Sequence, residues 1–155
     1  MMGTVVAIYV SPAAKASMEP VPVAELETGR GIRGDRYYSQ AGTFSEQARI
    51  RPDQEVTLIE SEEIDDFNRT TGSTLGYGAP RRNVVTEGIR LNDLVGARFY
   101  VGEVMLEGIR LCEPCAHLAS LVSQKVLPGL VHRAGLRARI LSGGKIKLSD
   151  AVVSV

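Results

Sequence analysis

Gly135-Leu136-Arg137-Ala138-Arg139-Ile140-Leu141 sets the apolar side chains of Leu136, Ala138 and Ile140 between the arginines 137 and 139. Successive side chains of a strand point to opposite faces, so a period of two is the mark of a strand with one side in a core and the other in water. C-terminal to it, Lys145-Ile146-Lys147-Leu148 alternates again. N-terminal to it, short apolar runs recur around Leu91, Ala97 to Val101 and Val104 to Leu111, with Gly88, Gly96 and Gly102 between them. Turns at such regular intervals signal a sandwich or barrel.

Farther out, Thr4 to Val10 is rich in β-branched residues and ends at Ser11-Pro12, so it reads as a first strand. Glu55 to Glu60 reads as another. Lys15 to Leu26 reads as irregular or weakly extended, because two prolines forbid a long helix there. Ser39 to Pro52 is polar and reads as a loose connection. Two short helices are expected, Glu62 to about Thr71 with Ser61 as its cap, and Ala116 to Lys125. In the first of these Ile64 and Phe67 stand three apart and bury a narrow stripe. The expectation is a mainly-β single domain over residues 1–155, a sandwich or a barrel, with about eight strands and a few short helices. Glu87 to Leu91 and Glu107 to Leu111 both read Glu-Gly-Ile-Arg-Leu. With no third copy a solenoid is not supported, and two similar strands of one barrel account for the echo.

A chain of 155 residues is long enough to bury a core without staples. The apolar fraction of 44% and charged fraction of 23% exclude a disordered chain. Formal net charge is zero, which removes any bulk electrostatic case for nucleic acid or an anionic membrane. The apolar run Val5 to Val10 is shorter than a signal-peptide core and follows no basic residue. No stretch approaches the roughly 20 apolar residues of a bilayer span. Two cysteines make no disulfide framework, so a reducing, cytoplasmic setting is expected.

Both cysteines lie in Arg110-Leu111-Cys112-Glu113-Pro114-Cys115-Ala116-His117-Leu118. Between an apolar run and an expected helix start, a thiol sits near unpaired N–H groups and the positive end of a helix dipole, both of which favour the thiolate. Cys115, after Pro114, is the candidate nucleophile, while Cys112 reads as a small buried hydrophobe. A thioredoxin-type pair needs a βαβ setting that the pattern does not offer. Zinc would need a fourth ligand beyond Cys112, Cys115 and His117, and only His132 remains. Gly29-Arg30-Gly31-Ile32-Arg33-Gly34 matches G-x-G-x-x-G but lacks the strand before and the helix after that a dinucleotide site requires. Its glycine backbone and arginines still suit an anion. In Pro80-Arg81-Arg82-Asn83, alternation allows one arginine inward. Arg82 shares a side with Val84, which leaves Arg81 as a surface charge. His117 and Arg133 are further candidates for an anionic ligand.

Taken in order, Gly31-x-x-Gly34-Asp35-Arg36-Tyr37, Val56-Thr57-Leu58-Ile59-Glu60, Arg82-Asn83-Val84, Leu91-Asn92-x-Leu94-x-Gly96 and Leu111-Cys112-Glu113-Pro114-Cys115 resemble the MOSC domain. This is the module at the C-terminus of molybdenum-cofactor sulfurases, found also as small stand-alone bacterial proteins. The resemblance runs from about residue 25 to the end. It implies a barrel similar to the barrel domain of pyruvate kinase. It implies that Cys115 carries sulfur as a persulfide or ligates molybdenum. It also places Gly34, Asp35, Arg36, Arg82 and Asn83 around that cysteine, where Arg33, His117 and Arg133 would add contacts to a molybdopterin-type cofactor. The implied partners are a cysteine desulfurase or electron-donor proteins. Two other roles are implied or open: a molybdenum-dependent reductase component acting on N-hydroxylated compounds, and a non-catalytic barrel that binds an anion or a partner.

Overall fold

The computed structural model describes residues 2–13, 16–41, 55–113 and 132–155, with the side chains of 39–41 excepted. The expected helix over 116–125, Cys115, His117 and most of the 39–52 stretch lie outside the described residues.

Four strands open the chain: β1 (Met2–Val10), β2 (Glu19–Pro20), β3 (Val23–Glu27) and β4 (Gly31–Ile32). The helix α1 (Arg36–Ala41) follows, then β5 (Val56–Glu60), the helix α2 (Ser61–Thr71) and β6 (Val84–Glu87). A 3-10 turn over Leu91–Leu94 leads to β7 (Arg98–Val101) and β8 (Val104–Leu111). The chain ends with β9 (Leu136–Ser142), β10 (Gly144–Lys147) and β11 (Ala151–Ser154).

Seven strands close on themselves in the order β11-β7-β8-β9-β5-β6-β1, with β1 returning to β11 through Met2↔Val153 and Thr4↔Ala151. Closure removes the open edges that would otherwise template aggregation. β2 lies along the far end of β1, and β10-β3-β4 form a small second sheet. The alternating sequence of β9 is the reason it sits where it does. Leu136, Ala138 and Ile140 are buried, and Arg137 and Arg139 are not. β8 shows the same pattern and pairs with β9 from Leu106↔Ile140 to Leu111↔Leu136.

One pairing is parallel. β5 runs beside β6 with Leu58 opposite Val84, and α2 makes the crossover between them. α2 packs Ile64 on Ile59 and Val85 on the outside of the barrel, so β5 is buried on both faces and reads as an unbroken apolar run. The barrel's interior is filled from nearly every strand, by residues such as Val5, Leu58, Phe99, Leu106, Leu136 and Val152.

Two expectations need correction. Ser61 is the first residue of α2 rather than its cap. The N-cap is Glu60, which makes no side-chain capping bond. The Glu-Gly-Ile-Arg-Leu echo is not two strands. Glu107 to Leu111 lies in β8, but Glu87 ends β6, Gly88 turns the chain at φ +86°, and Leu91 enters the 3-10 turn.

Candidate functional site

The segments that leave β1, precede α1 and lead into β6 meet at one end of the barrel, joined by buried polar side chains. Asn83 stands at the centre, with no exposed surface. Its Oδ1 accepts from the Thr57 backbone N–H at 3.1 Å and the Thr57 hydroxyl at 3.0 Å. Its Nδ2 donates to the Tyr9 carbonyl at 3.1 Å and to Asp35 Oδ1 at 3.2 Å. All four bonding positions of the carboxamide are filled.

Asp35 is 1% exposed. Besides Asn83, its Oδ1 accepts from Ser11 N at 3.0 Å and Arg36 Nη1 at 3.2 Å, and its Oδ2 from Tyr37 N at 3.4 Å. One carboxylate thus ties together the end of β1, the start of α1 and the entry to β6. Gly34, at φ +85°, supplies the left-handed step that turns the chain into this carboxylate. Arg36, itself buried, stacks its guanidinium 4.6 Å from the Tyr37 ring centroid and donates from Nη2 to the Arg81 carbonyl at 3.4 Å.

Arg81 departs from the sequence reading. Its backbone lies at φ +64°, a conformation that costs a non-glycine residue about 1–3 kcal/mol, so strand alternation does not govern it. It is half-buried and donates from Nη1 to the Ala16 carbonyl at 2.7 Å. Burial, and then the charge of Arg36, push its guanidinium below the ordinary range, against a smaller opposing effect of Tyr37 and Asp35.

Arg82 is inward, as its position beside Val84 implies, and only 8% exposed. Its Nε donates to the Ala134 carbonyl at 2.8 Å. It forms no ion pair among the described residues. A guanidinium cannot shed its charge by deprotonation, and an uncompensated buried charge is costly. The bond to Ala134 also reaches the neighbourhood of the cysteine stretch, because the next residue, Gly135, accepts from the Cys112 backbone N–H at 2.8 Å. Cys112 is fully buried.

Two predicted contacts are otherwise engaged. Arg33 is exposed and pairs with Glu27 at 2.9 Å and Glu25 at 3.9 Å. Arg133 pairs with Glu63 at 2.7 Å and with Asp66, both on α2, and these hydrogen bonds hold its guanidinium above the ordinary range. The turn carrying it is fixed further by Glu113, which accepts from the His132 backbone N–H and meets His132 Nδ1, each at 2.7 Å, and by Asn92 Nδ2 donating to the His132 carbonyl. The two ends of the segment that contains Cys115 and His117 are therefore clasped to each other, while those two residues lie outside the described set. Among the described residues no group of three or more His, Cys, Asp or Glu forms a metal cage. No helix there is long and apolar enough to cross a membrane.

Three participants were missed from sequence. Thr57 is visible in retrospect as the polar residue inside Val56-Thr57-Leu58-Ile59, and Ser11 as the residue at the end of β1. Arg81 carried no signal, since its left-handed backbone follows from tertiary contacts.

Comparison with known proteins follows from this geometry. A family model described as MOSC domain matches residues 45–153. No curated protein sequence matches the chain. Among solved structures, the YuaD protein from Bacillus subtilis superposes with a TM-score of 0.82 at 14% identity, over 98% of this chain and 94% of that one. YiiM from Geobacillus stearothermophilus gives 0.75 at 17% identity, over 100% and 75%. YiiM from Escherichia coli gives 0.66 at 19%, over 100% and 70%. At these identities the superpositions speak for the fold.

Proposed function

Because the chain belongs to the MOSC domain family, which is linked to molybdenum-cofactor binding and sulfur handling, we propose that it is a molybdenum-cofactor-binding or sulfur-carrier protein with Cys115 as its sulfur centre. The observation that carries this reading is Arg82, a buried guanidinium with no carboxylate partner among the described residues. A ligand with an anionic group fits there, and the phosphate of a molybdopterin-type cofactor is one. Arginine's planar fork matches such oxygens. The cofactor, when bound, supplies redox and sulfur-exchange chemistry at molybdenum, for which a thiolate is a soft ligand.

The chain's own residues divide the work. Arg82 holds the anion. Asn83 has every bonding position of its carboxamide filled by protein groups and Asp35 accepts from four protein donors, so they position Arg36 and the loop at Gly34. Arg33 and Arg133, neutralised by glutamates and an aspartate, contribute at the margin. Cys115 follows Cys112 by three residues in the sequence, and Cys112 N donates to the carbonyl of Gly135, the neighbour of the Ala134 whose carbonyl Arg82 holds. As a sulfur carrier, the Cys115 thiolate attacks the terminal sulfur of a donor persulfide. The new S–S bond forms as the donor's S–S bond breaks, and the donor departs as a thiolate. A cysteine desulfurase supplies such a persulfide.

Anaerobic purification with metal and pterin analysis tests the cofactor, and mass spectrometry after incubation with a cysteine desulfurase tests the persulfide. Retained molybdopterin, or an added sulfur that Cys115→Ala abolishes, is the expected result. Finding neither sinks the reading. Arg82→Met should lower cofactor retention at least tenfold. Its ligand-free melting point should stay within a few degrees of wild type, because the substitution also removes a buried charge that has no carboxylate partner among the described residues. A second reading, a non-catalytic anion-binding barrel, gains from the same arginine. It predicts that Arg82→Met loses the ligand while Cys115→Ala changes nothing.

A further inference from the structure

We propose that Met18 is an oxidation site built beside the buried Arg36: its thioether takes one oxygen from a hydroperoxide, and the sulfoxide then holds the Arg36 guanidinium. The inference uses neither Cys115 nor a cofactor, so it stands or falls apart from the function proposed above.

The geometry carries the argument. Arg36 Nη1 donates to Asp35 Oδ1 at 3.2 Å and to Met18 Sδ at 3.7 Å, one bond for each of its two hydrogens. The carboxylate is a strong acceptor for a cation, and the thioether a weak one. Met18 is held in place on both sides along the chain. The Ala16 carbonyl accepts from the Ser11 hydroxyl at 3.1 Å and from Arg81 Nη1 at 2.7 Å, and Glu19 pairs with Val10 at the end of β1. Met18 is half-buried, which leaves its sulfur within reach of a small oxidant. The separation suits the product. A sulfoxide oxygen about 1.5 Å from sulfur and about 2.8 Å from a donor, with a bend of about 120°, sets sulfur and nitrogen about 3.8 Å apart. The 3.7 Å between Sδ and Nη1 already provides that room. In the step, the sulfur lone pair attacks one peroxide oxygen as the O–O bond breaks. An S–O bond forms, sulfur gives up two electrons, and the departing hydroxide takes the proton of the attacked oxygen to leave as water. Sulfoxide formation in an apolar core disrupts packing, whereas here the new oxygen meets a cation and makes a charge-assisted hydrogen bond. Arg36 Nη2 also donates to the Arg81 carbonyl, so the oxidised side chain braces the segment before β2, the start of α1 and the entry to β6 against one another.

The test is mild treatment with hydrogen peroxide followed by dithiothreitol, which returns sulfenic acids and disulfides to thiols and leaves a sulfoxide in place. Peptide mass spectrometry locates the added oxygen, and thermal unfolding reads its effect. Sulfoxide at Met18 should raise the melting point by about 3 °C, the shift expected of one added charge-assisted hydrogen bond in a chain of this size. Methionine sulfoxide reductase should reverse it. Met18→Leu fills a similar volume without a sulfur. It should show no peroxide-dependent shift, even as Met2, 68% exposed, is still oxidised. Met18→Gln sets a carboxamide oxygen beside Arg36 and should melt above Met18→Leu before any treatment. Three results each overturn the inference: a Met18 that stays a thioether while Met2 is converted, a Met18 sulfoxide that leaves the melting point unchanged or lowers it, or a Met18→Leu protein that keeps the shift.

Discussion

Asn83 is the residue on which three segments of chain agree, and its carboxamide has no spare capacity. Truncating it to alanine orphans the Thr57 N–H and the Tyr9 carbonyl and removes a donor from Asp35. Buried groups left unsatisfied cost about 1–3 kcal/mol each, so Asn83→Ala should lower stability by at least about 3 kcal/mol in chemical denaturation. The near-isosteric Asn83→Asp is more telling. It sets a second carboxylate against Asp35 Oδ1, and like charges in contact raise the pKa of one of the pair in the folded state. A raised acid pKa means stability is lost as pH climbs above the unfolded value. The deficit of Asn83→Asp relative to wild type should therefore be larger at pH 7 than at pH 4.5. A deficit independent of pH would show that Asp35 and residue 83 do not face each other. Arg82 and Asn83 were both legible in the sequence, one from its place beside Val84 and one from the family pattern. What the pattern did not tell is that the Asn83 carboxamide is bonded on all four positions to Thr57, Tyr9 and Asp35. That depends on Thr57, which is separated from it by 26 residues.

At the scale of the element, the two copies of Glu-Gly-Ile-Arg-Leu show how far local sequence determines conformation. Gly108 lies inside β8, where an added Cβ would fall 2.0 Å from the Leu94 carbonyl oxygen. It is the contact through which the turn at 94–96 approaches the strand, since Gly96 N donates to the Gly108 carbonyl and Gly108 N to that of Ala97. Gly88 instead makes a turn at φ +86°, and its added Cβ would meet nothing nearer than 3.6 Å. The same glycine is needed for lack of bulk in one copy and for a left-handed backbone in the other. Gly88→Ala should cost about 1 kcal/mol. Gly108→Ala must push backbone from backbone and should cost several times more, with loss of the cooperative melt as the extreme result. Comparable costs would mean that the turn can move away from β8. The alternating elements, β8 and β9, were readable because their period is set by burial on one face. The helix begins one residue earlier than expected, at Ser61, and the Glu60 carboxylate before it accepts from the Leu91 N–H at 3.2 Å rather than capping the helix.

For the whole molecule, turn spacing left a sandwich or a barrel and the family resemblance implied the barrel, but the partition into a seven-strand ring and a separate small sheet was not expected. Strand order is a long-range property that no local period encodes. The two parts share one apolar core, to which the small sheet brings Ala24, Leu26, Ile32 and Ile146, and a buried carboxylate bridges them. Glu55 Oε1 accepts from Gly29 N in the turn before β4 at 3.3 Å and from Ile140 N in β9 at 2.9 Å. Desolvation raises the Glu55 pKa, opposed by these two bonds and by Arg139. A carboxyl whose pKa is higher folded than unfolded binds its proton more tightly in the native state. Its ionisation then opposes folding, progressively from the unfolded pKa up to the folded one, and the cost is constant above that. Glu55→Gln keeps a carbonyl acceptor for both N–H groups and never ionises. Its stability relative to wild type should improve as pH rises from 4 through the carboxylate range and then level off, with little or no advantage at the acid end. Denaturant titrations of both proteins across pH 4 to 8 measure this difference directly. An advantage that shrinks as pH rises would show that the charged form of Glu55 is the one the barrel prefers, and that this bridge between its two sheets is ionic rather than a pair of hydrogen bonds to a reluctant acid.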